Sequence, residues 1–138
     1  MGLTVFDAGV LIGFLDASDA HHDAAHGEIR AGLERGDRIA LPASAFAEVL
    51  VGPSRRGNEA VAGVQEFIER VPIEITPLEA GTARIAADLR ARHGTRLRLP
   101  DALVIATARD LDADVLVTSD RNWPTRRALR LRARVVLL

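Results

Sequence analysis

Short apolar runs alternate with longer amphipathic segments along the chain, and this alternation limits the fold more than any other feature of the sequence. The runs predict five strands, at residues 3–6, 39–41, 73–75, 115–117 and 134–137. The segments between them carry apolar residues at helical spacing, as where Ala25, Ile29 and Leu33 share one face of a helix expected over 20–35. Strands that alternate with helices form parallel sheets covered by helices. The pattern therefore predicts a three-layer α/β/α fold with a mostly parallel central sheet.

Capping and breaking residues set the expected helix boundaries. Asp7 is expected to begin a helix that runs to about Leu15. The sequence Gly-Pro-Ser at 52–54 is expected to end a helix that begins at Ala43. Asn58 should cap a helix over 59–70, and Thr76 a helix from 77 or 78 to 93. A further helix is expected over 101–111.

Composition excludes several classes of protein. The length of 138 residues suits one domain, 1–138. There is no cysteine, which excludes disulfides, thiolate metal sites and cysteine nucleophiles. All 18 basic residues are arginine, so phosphate-binding Walker loops, Schiff-base chemistry and lysine-dependent phosphoryl transfer are excluded. No signal peptide or membrane span is visible, and a cytoplasmic protein is expected.

The formal net charge of −1 conceals two halves of opposite sign. Residues 1–83 contain 6 Arg and 13 acids, giving −7, whereas residues 84–138 contain 12 Arg and 6 acids, giving +6. A basic half fits a polyanionic partner such as a nucleic acid. An arginine-rich surface from a compositionally biased genome explains the asymmetry equally well.

Three acids stand where a sheet of this kind forms its sites. Asp7 directly follows the first strand, Asp120 follows the fourth strand, and Asp101 begins a helix. Each of them alone is explained as a helix cap or a turn residue. Together they lie where open parallel sheets place their sites, beyond the carboxyl ends of the strands.

Glu48 is the fourth acid, and it interrupts an apolar helical segment at 43–51. Burying it is costly unless it is paired or bound to a metal, although an exposed edge of the helix would also accommodate it. Carboxylates that face one another need raised pKa values or a cation. Oxygen ligands suit Mg²⁺ or Mn²⁺, and such ions activate water for phosphodiester hydrolysis.

Four short segments, in order along the chain, together resemble a PIN domain, and more narrowly the VapC-like toxins of bacterial toxin–antitoxin pairs. They are Val5-Phe6-Asp7-Ala8-Gly9-Val10-Leu11-Ile12, Ala47-Glu48-Val49-Leu50, Leu99-Pro100-Asp101-Ala102-Leu103-Val104-Ile105-Ala106-Thr107-Ala108 and Val117-Thr118-Ser119-Asp120. The resemblance implies a Mg²⁺- or Mn²⁺-dependent endoribonuclease, a cognate antitoxin protein as partner, and a homodimer. It also implies that the catalytic and metal-binding acids are Asp7, Glu48, Asp101 and Asp120.

The resemblance also marks one supporting residue and one departure. Thr118 matches a position at which a small hydroxyl residue often supports the site. Many relatives carry Ser, Thr or Asn two residues after the first Asp, where this chain has Gly9. That difference would remove a supporting hydrogen bond and puts the metal affinity, rather than the fold, in question.

Residues after Asp120 are candidates for contacts with substrate. Arg121 could hold a phosphate, and Trp123 could stack on an unpaired base, so single-stranded or loop RNA is the expected substrate. Packing of Trp123 against a helix explains it equally well. His22 and His26 have the i, i+4 spacing of a zinc site, but no third ligand is apparent and a polar helix start is favoured.

Two further functions remain open from the sequence. One is a catalytically weak PIN-like module that binds RNA or a protein partner, and replacing the acids would leave its binding intact. The other is a structure-specific DNA nuclease, which the short chain disfavours.

Overall fold

The computed structural model describes residues 2–138, and five of its strands form one sheet in the order β3-β2-β1-β4-β5. The strands are β1 (Leu3–Phe6), β2 (Arg38–Pro42), β3 (Glu74–Thr76), β4 (Val115–Thr118) and β5 (Arg134–Leu137). Each neighbouring pair is parallel. The α/β fold with its parallel sheet is confirmed, and each strand lies within one residue of its expected ends.

Six α-helices connect the strands: α1 (Ala8–Leu15), α2 (His22–Glu34), α3 (Ala43–Arg56), α4 (Asn58–Arg70), α5 (Ala80–His93) and α6 (Leu99–Asp110). A 3₁₀ turn at Gly94–Arg96 separates the last two. A helix long and apolar enough to cross a membrane is not found within residues 2–138.

The two central strands are buried on both faces. All four residues of β1 and all four of β4 are shielded from solvent, and Val5, Phe6 and Leu116 have no exposed surface. A strand that alternated between core and solvent would expose every second side chain. The sheet is therefore the middle layer of three, with helices on each side.

The order of the strands creates a switch point beside β1. The chain passes from β1 outwards to β2 and β3, and then returns through α5 and α6 to place β4 on the other side of β1. Connections that leave a parallel sheet in opposite directions open a crevice at the carboxyl ends of the two strands. The carboxyl ends of β1 and β4 are thus the expected place for a site.

The prediction that residues 52–54 end a helix is wrong. Helix α3 continues through Pro53 to Arg56, and it ends at Gly57, whose φ is 116°. Proline removes one backbone hydrogen bond inside a helix. Pro53 is buried, and the Gly57 N–H donates to its carbonyl oxygen at 3.1 Å, so packing and the last turn compensate for the lost bond.

Two predicted helix caps are also wrong. Asn58 is the first residue of α4 rather than its cap, since Gly57 occupies the cap position. Thr76 is the last residue of β3, where it pairs with Pro42, and α5 begins only at Ala80. The positive φ of Gly57 sets the start of α4, and the pairing of Thr76 with β2 keeps this residue in the strand.

Candidate active site

Asp7 lies at the carboxyl end of β1 and caps helix α1. Its Oδ1 accepts a hydrogen bond from the Ala8 N–H at 2.7 Å, and its Oδ2 accepts one from the Thr118 hydroxyl at 2.8 Å. The residue is only 8% exposed. Asp7 is therefore both a helix cap and a carboxylate held in a fixed orientation at the switch point.

Thr118, the last residue of β4, connects Asp7 to Asp120. The Thr118 hydroxyl donates to Asp7 and accepts from the Asp120 N–H at 3.0 Å. Asp120 Oδ1 in turn accepts from the Asn122 N–H at 2.8 Å, which shapes the turn after the strand. One buried hydroxyl thus sets the relation between the two strand ends, in line with the supporting role expected of Thr118.

Asp101 reaches the same edge of the sheet from a helix. It is the third residue of α6, so it lies in the first turn and does not cap the helix. Because α6 precedes β4 and runs back across the sheet, its first turn lies at the carboxyl ends of the strands. The side chain is half-buried.

Glu48 lies in α3, the helix that follows β2, and it is exposed. Of the two alternatives for this acid, the exposed helix edge is the one observed, because the helix turns this residue towards solvent while Ala45 and Val49 face the core. Partial burial of the carboxyl group, followed by the charge of Asp101, raises the pKa of Glu48, while Arg98 lowers it.

The charges of neighbouring carboxylates contribute to the raised pKa values of Asp7, Glu48 and Asp101. Burial raises the pKa of Asp7 above 3.8, and the charges of Glu48 and Asp120 raise it further, while the hydrogen bonds from Thr118 and Ala8 oppose the rise. A contribution of this kind requires like charges that lie within interaction distance. The four acids therefore form one electrostatic cluster.

The pKa of Asp101 is strongly raised within this cluster. Burial, followed by the charges of Asp7 and Asp120, raises its pKa from 3.8 to about 6. The Trp123 indole N–H lies beside this carboxylate and lowers its pKa, yet the N–H is buried without a hydrogen bond of good geometry among residues 2–138. The contact is thus electrostatic in character rather than a formed hydrogen bond.

A cavity of about 600 Å³ opens beside the acids, and its walls carry both signs of charge. Asp101 and Asp120 contribute acidic groups, and Trp123 contributes an aromatic wall. Basic groups come from Arg96, Arg98 and Arg121, and the ion pairs found among residues 2–138 involve none of these three. The cavity can therefore hold a polyanion close to the carboxylates.

Arg98 is a site residue that the sequence patterns did not single out. Its positive charge lowers the pKa of both Glu48 and Asp101. The available signal was its position three residues before Asp101, directly before the helix that brings Asp101 to the sheet edge.

The four acidic side chains face different parts of the protein. Asp101 and Asp120 line the cavity, Glu48 lines a neighbouring groove, and Asp7 is buried at the strand end. Within residues 2–138, no three acidic or histidine side chains stand close enough together to hold a metal ion as they are. The donor atoms are nevertheless all oxygen, and the raised pKa values of Asp7, Glu48 and Asp101 are what a hard divalent cation would lower. The residues thus fit Mg²⁺ or Mn²⁺ in the chemistry of their donor atoms.

His22 and His26 pack against Phe14 instead of facing the acids. The rings of Phe14 and His26 stack with centroids 5.2 Å apart, and the His22 Nδ1 lies 3.0 Å from the Gly13 carbonyl oxygen. Phe14 also stacks on Phe67 at 4.9 Å. These contacts account for the two histidines as part of an aromatic cluster between α1, α2 and α4.

Comparison with known proteins gives one family and several similar structures. The profile of the PIN domain matches residues 4–129. VapBC2 from Rickettsia felis, solved bound to a DNA fragment from its promoter, has a TM-score of 0.74 at 18% identity, covering 96% of this chain and 98% of that one. No significant match is found among curated protein sequences.

Two further structures show the same fold at similarly low identity. DNA-bound VapBC from Salmonella typhimurium has a TM-score of 0.70 at 17% identity, covering 99% of this chain and 98% of that one. VapC20 from Mycobacterium tuberculosis, described as a toxin that cleaves the sarcin–ricin loop, has a TM-score of 0.66 at 18% identity, covering 82% and 86%. The arrangement of strands and helices described above is thus shared with these proteins.

Proposed function

This chain belongs to the PIN domain family, and on that premise we propose that it is a divalent-metal-dependent endoribonuclease that acts as the toxin of a toxin–antitoxin pair. The observation that carries the proposal is the cluster of mutually interacting carboxylates at the switch point between β1 and β4. Among the similar structures, VapC20 is described as an RNA-loop-cleaving toxin, and others are toxin–antitoxin complexes.

The proposed metal ligands are the carboxylates of Asp7, Glu48, Asp101 and Asp120. A bound Mg²⁺ or Mn²⁺ ion would supply water activation and charge stabilisation for phosphodiester hydrolysis. Thr118 holds the Asp7 carboxylate in place through its 2.8 Å hydrogen bond, so that one acid is oriented before any ligand arrives. This pre-orientation lowers the entropy that assembling the site would otherwise cost.

The arginines of the cavity are the proposed holders of the RNA backbone. Arg96, Arg98 and Arg121 surround the acids on the cavity side and would neutralise phosphates on either side of the cleaved bond. Trp123 forms an aromatic wall against which an unpaired base can pack. The proposed substrate is therefore RNA with unpaired nucleotides, since the bases of an A-form duplex are not available for such contacts.

The proposed antitoxin partner would bind the groove next to Glu48. This groove of about 460 Å³ is lined by apolar side chains of α1, α3 and α4 together with the charged residues Asp16, Glu48 and Arg56. Two of the apolar side chains, Ile12 and Leu15, are 41% and 38% exposed. Covering these side chains would stabilise a complex. Co-expression with the protein encoded beside this one should give a stable complex that cleaves no RNA. A cytoplasmic homodimer is proposed with it, to be checked by sedimentation.

The test of the proposed nuclease is cleavage of a mixed cellular RNA pool by purified protein. We expect cutting with Mn²⁺ or Mg²⁺, none with a chelator, and none in the Asp7→Asn and Asp101→Asn variants. Asp88→Asn serves as the matched control, because Asp88 pairs with Arg92 on the surface of α5 at 3.0 Å. Cutting that survives both site variants would refute the carboxylate mechanism.

A catalytically weak RNA- or partner-binding module is the second candidate, favoured by the four acids not already forming a tight ligand group. The same assay separates the two functions. RNA binding without cutting, retained in Asp7→Asn and in chelator, would support the binding module.

A further inference from the structure

Gly9 is the second residue of α1, and its backbone conformation does not require a glycine. It lies within a regular helix and is not among the glycines with positive φ. Glycine is among the poorest helix formers. Its presence here therefore calls for a packing reason.

The packing reason is Ser119. A Cβ atom at position 9 would lie 2.4 Å from the Ser119 Oγ, so the Ser119 side chain would have to turn its hydroxyl away to admit it. The hydroxyl thus occupies the space that a side chain at position 9 would need. Gly81 is a useful contrast, because it is also the second residue of a helix, α5, and a Cβ there would meet nothing within 4 Å.

Ser119 belongs to the short segment that carries the acid site. The residue before it, Thr118, holds Asp7, and the residue after it is Asp120, whose N–H donates to Thr118. Gly9 lies two residues after Asp7, in the first turn of α1. The Ser119 hydroxyl is therefore placed between the chain segments of Asp7 and Asp120, and no residue of 2–138 forms a hydrogen bond with it.

We propose that Gly9 and Ser119 form a matched pair, in which the missing side chain at position 9 admits the Ser119 hydroxyl as a positioning group of the acid site. The hydroxyl fixes residues 118–120 against the first turn of α1 and provides a free donor next to Asp7 and Asp120. The hydroxyl group thus belongs to the residue that follows β4 and not to a residue of α1. This inference rests on the proposed function, because the carboxylates it positions are the proposed Mn²⁺ or Mg²⁺ ligands.

Four variants of the full chain test the pair: Gly9→Ala, Ser119→Ala, the exchange Gly9→Ser with Ser119→Gly, and the control Gly81→Ala. The readouts are the melting temperature in chelator and the Mn²⁺ dissociation constant from calorimetry. Removing a group that supports metal ligands weakens metal binding by about 10- to 100-fold. The exchange returns a hydroxyl to the same region, since the new Cβ at position 9 would lie 2.4 Å from the place of the Ser119 oxygen and its own Oγ can point there.

We expect Gly9→Ala to gain less in melting temperature than Gly81→Ala does, because turning the Ser119 hydroxyl away offsets part of the gain in helix propensity, and to bind Mn²⁺ about tenfold more weakly than the parent. Ser119→Ala should melt near the parent yet bind Mn²⁺ about tenfold more weakly. The exchange should recover binding to within about threefold of the parent, and Gly81→Ala should lower neither quantity.

Three results would overturn the matched pair: Gly9→Ala gaining as much in melting temperature as Gly81→Ala does, Ser119→Ala binding Mn²⁺ like the parent, or an exchange that binds no better than the single variants. A parent protein that binds no Mn²⁺ would overturn the proposed function together with the positioning role. The melting comparison in chelator would still decide whether Gly9 makes room for Ser119.

Discussion

Asp101→Asn should make the metal-free protein more stable at neutral pH while abolishing its proposed activity. Folding raises the pKa of Asp101 from 3.8 to about 6, mainly through burial and then through the charges of Asp7 and Asp120. The folded protein therefore binds this proton more tightly than the unfolded chain does. It follows that the free energy of unfolding of the parent falls as the pH rises from about 4 to about 6 and stays lower above that range.

The size of the effect follows from the two pKa values. They differ by about 2.2, which corresponds to about 3 kcal/mol at about 1.36 kcal/mol for each pKa unit. Because the side chain is only half-buried and solvent screens part of the interaction, we expect about 1–2 kcal/mol. For a chain of this length that gain raises the melting temperature by about 5 °C.

The assay is urea denaturation of the parent and the variant in chelator at pH 7.5 and at pH 4. Asparagine is close to aspartate in shape, cannot ionise, and removes the repulsion from Asp7 and Asp120. The gain should be present at pH 7.5 and absent at pH 4. Asp88→Asn, an exposed control, should change stability by less than about 1 kcal/mol at both pH values. A variant that is no more stable than the parent at pH 7.5, or a gain that persists at pH 4, would refute the reasoning.

Three further predictions concern the support of the site, the cavity and the fold. Thr118→Val should lower the free energy of unfolding by about 2–3 kcal/mol, because it removes the hydrogen bond to Asp7 and the acceptor of the Asp120 N–H. Denaturation by urea measures this loss, and an unchanged midpoint would contradict the prediction. Arg121→Gln should weaken binding of an unpaired RNA oligonucleotide in chelator and reduce the slope of log K against log salt by about 1. Fluorescence of Trp123, the single tryptophan of the chain, reports this binding, and an unchanged slope would remove Arg121 from the proposed RNA site. Gly57→Ala should lower the free energy of unfolding by about 1–2 kcal/mol, since the φ of Gly57 is 116°. Gly63→Ala is the control and should not lower it, because a Cβ there meets open space within α4. Equal effects of the two variants would argue against backbone strain at Gly57.

Local patterns were sufficient to predict the strands and the class of fold. The apolar runs at 3–6 and 115–117 each became a buried strand, because a buried parallel strand needs a continuous apolar segment. Asp7 and Asp120 could be placed at strand ends for the same reason. The order of the strands was not available from such patterns, since it depends on pairing between residues far apart in the sequence.

The features that the sequence did not predict correctly all depend on tertiary contacts. Pro53 and Thr76 carried strong local signals, which packing in α3 and pairing in β3 override. The apolar neighbours of Glu48 left burial and an exposed helix edge both open, because the rotation of α3 that exposes this residue is a tertiary property. Arg98 acts on the acids across space, and the close approach of Ser119 to Gly9 joins residues from two different strand ends.

The switch point between β1 and β4 also governs when the site can come into existence. The hydrogen bond that fixes Asp7 joins residues 111 positions apart. At translation rates of about 5–20 residues per second, the ribosome needs roughly 6 to 20 s to make that stretch. During this time the emerging chain carries Asp7 but lacks the strand that orients it. The proposed nuclease would therefore stay inactive beside its own messenger RNA and ribosome until synthesis has passed β4, and the topology would act as a delay between translation and the onset of the proposed RNA cleavage.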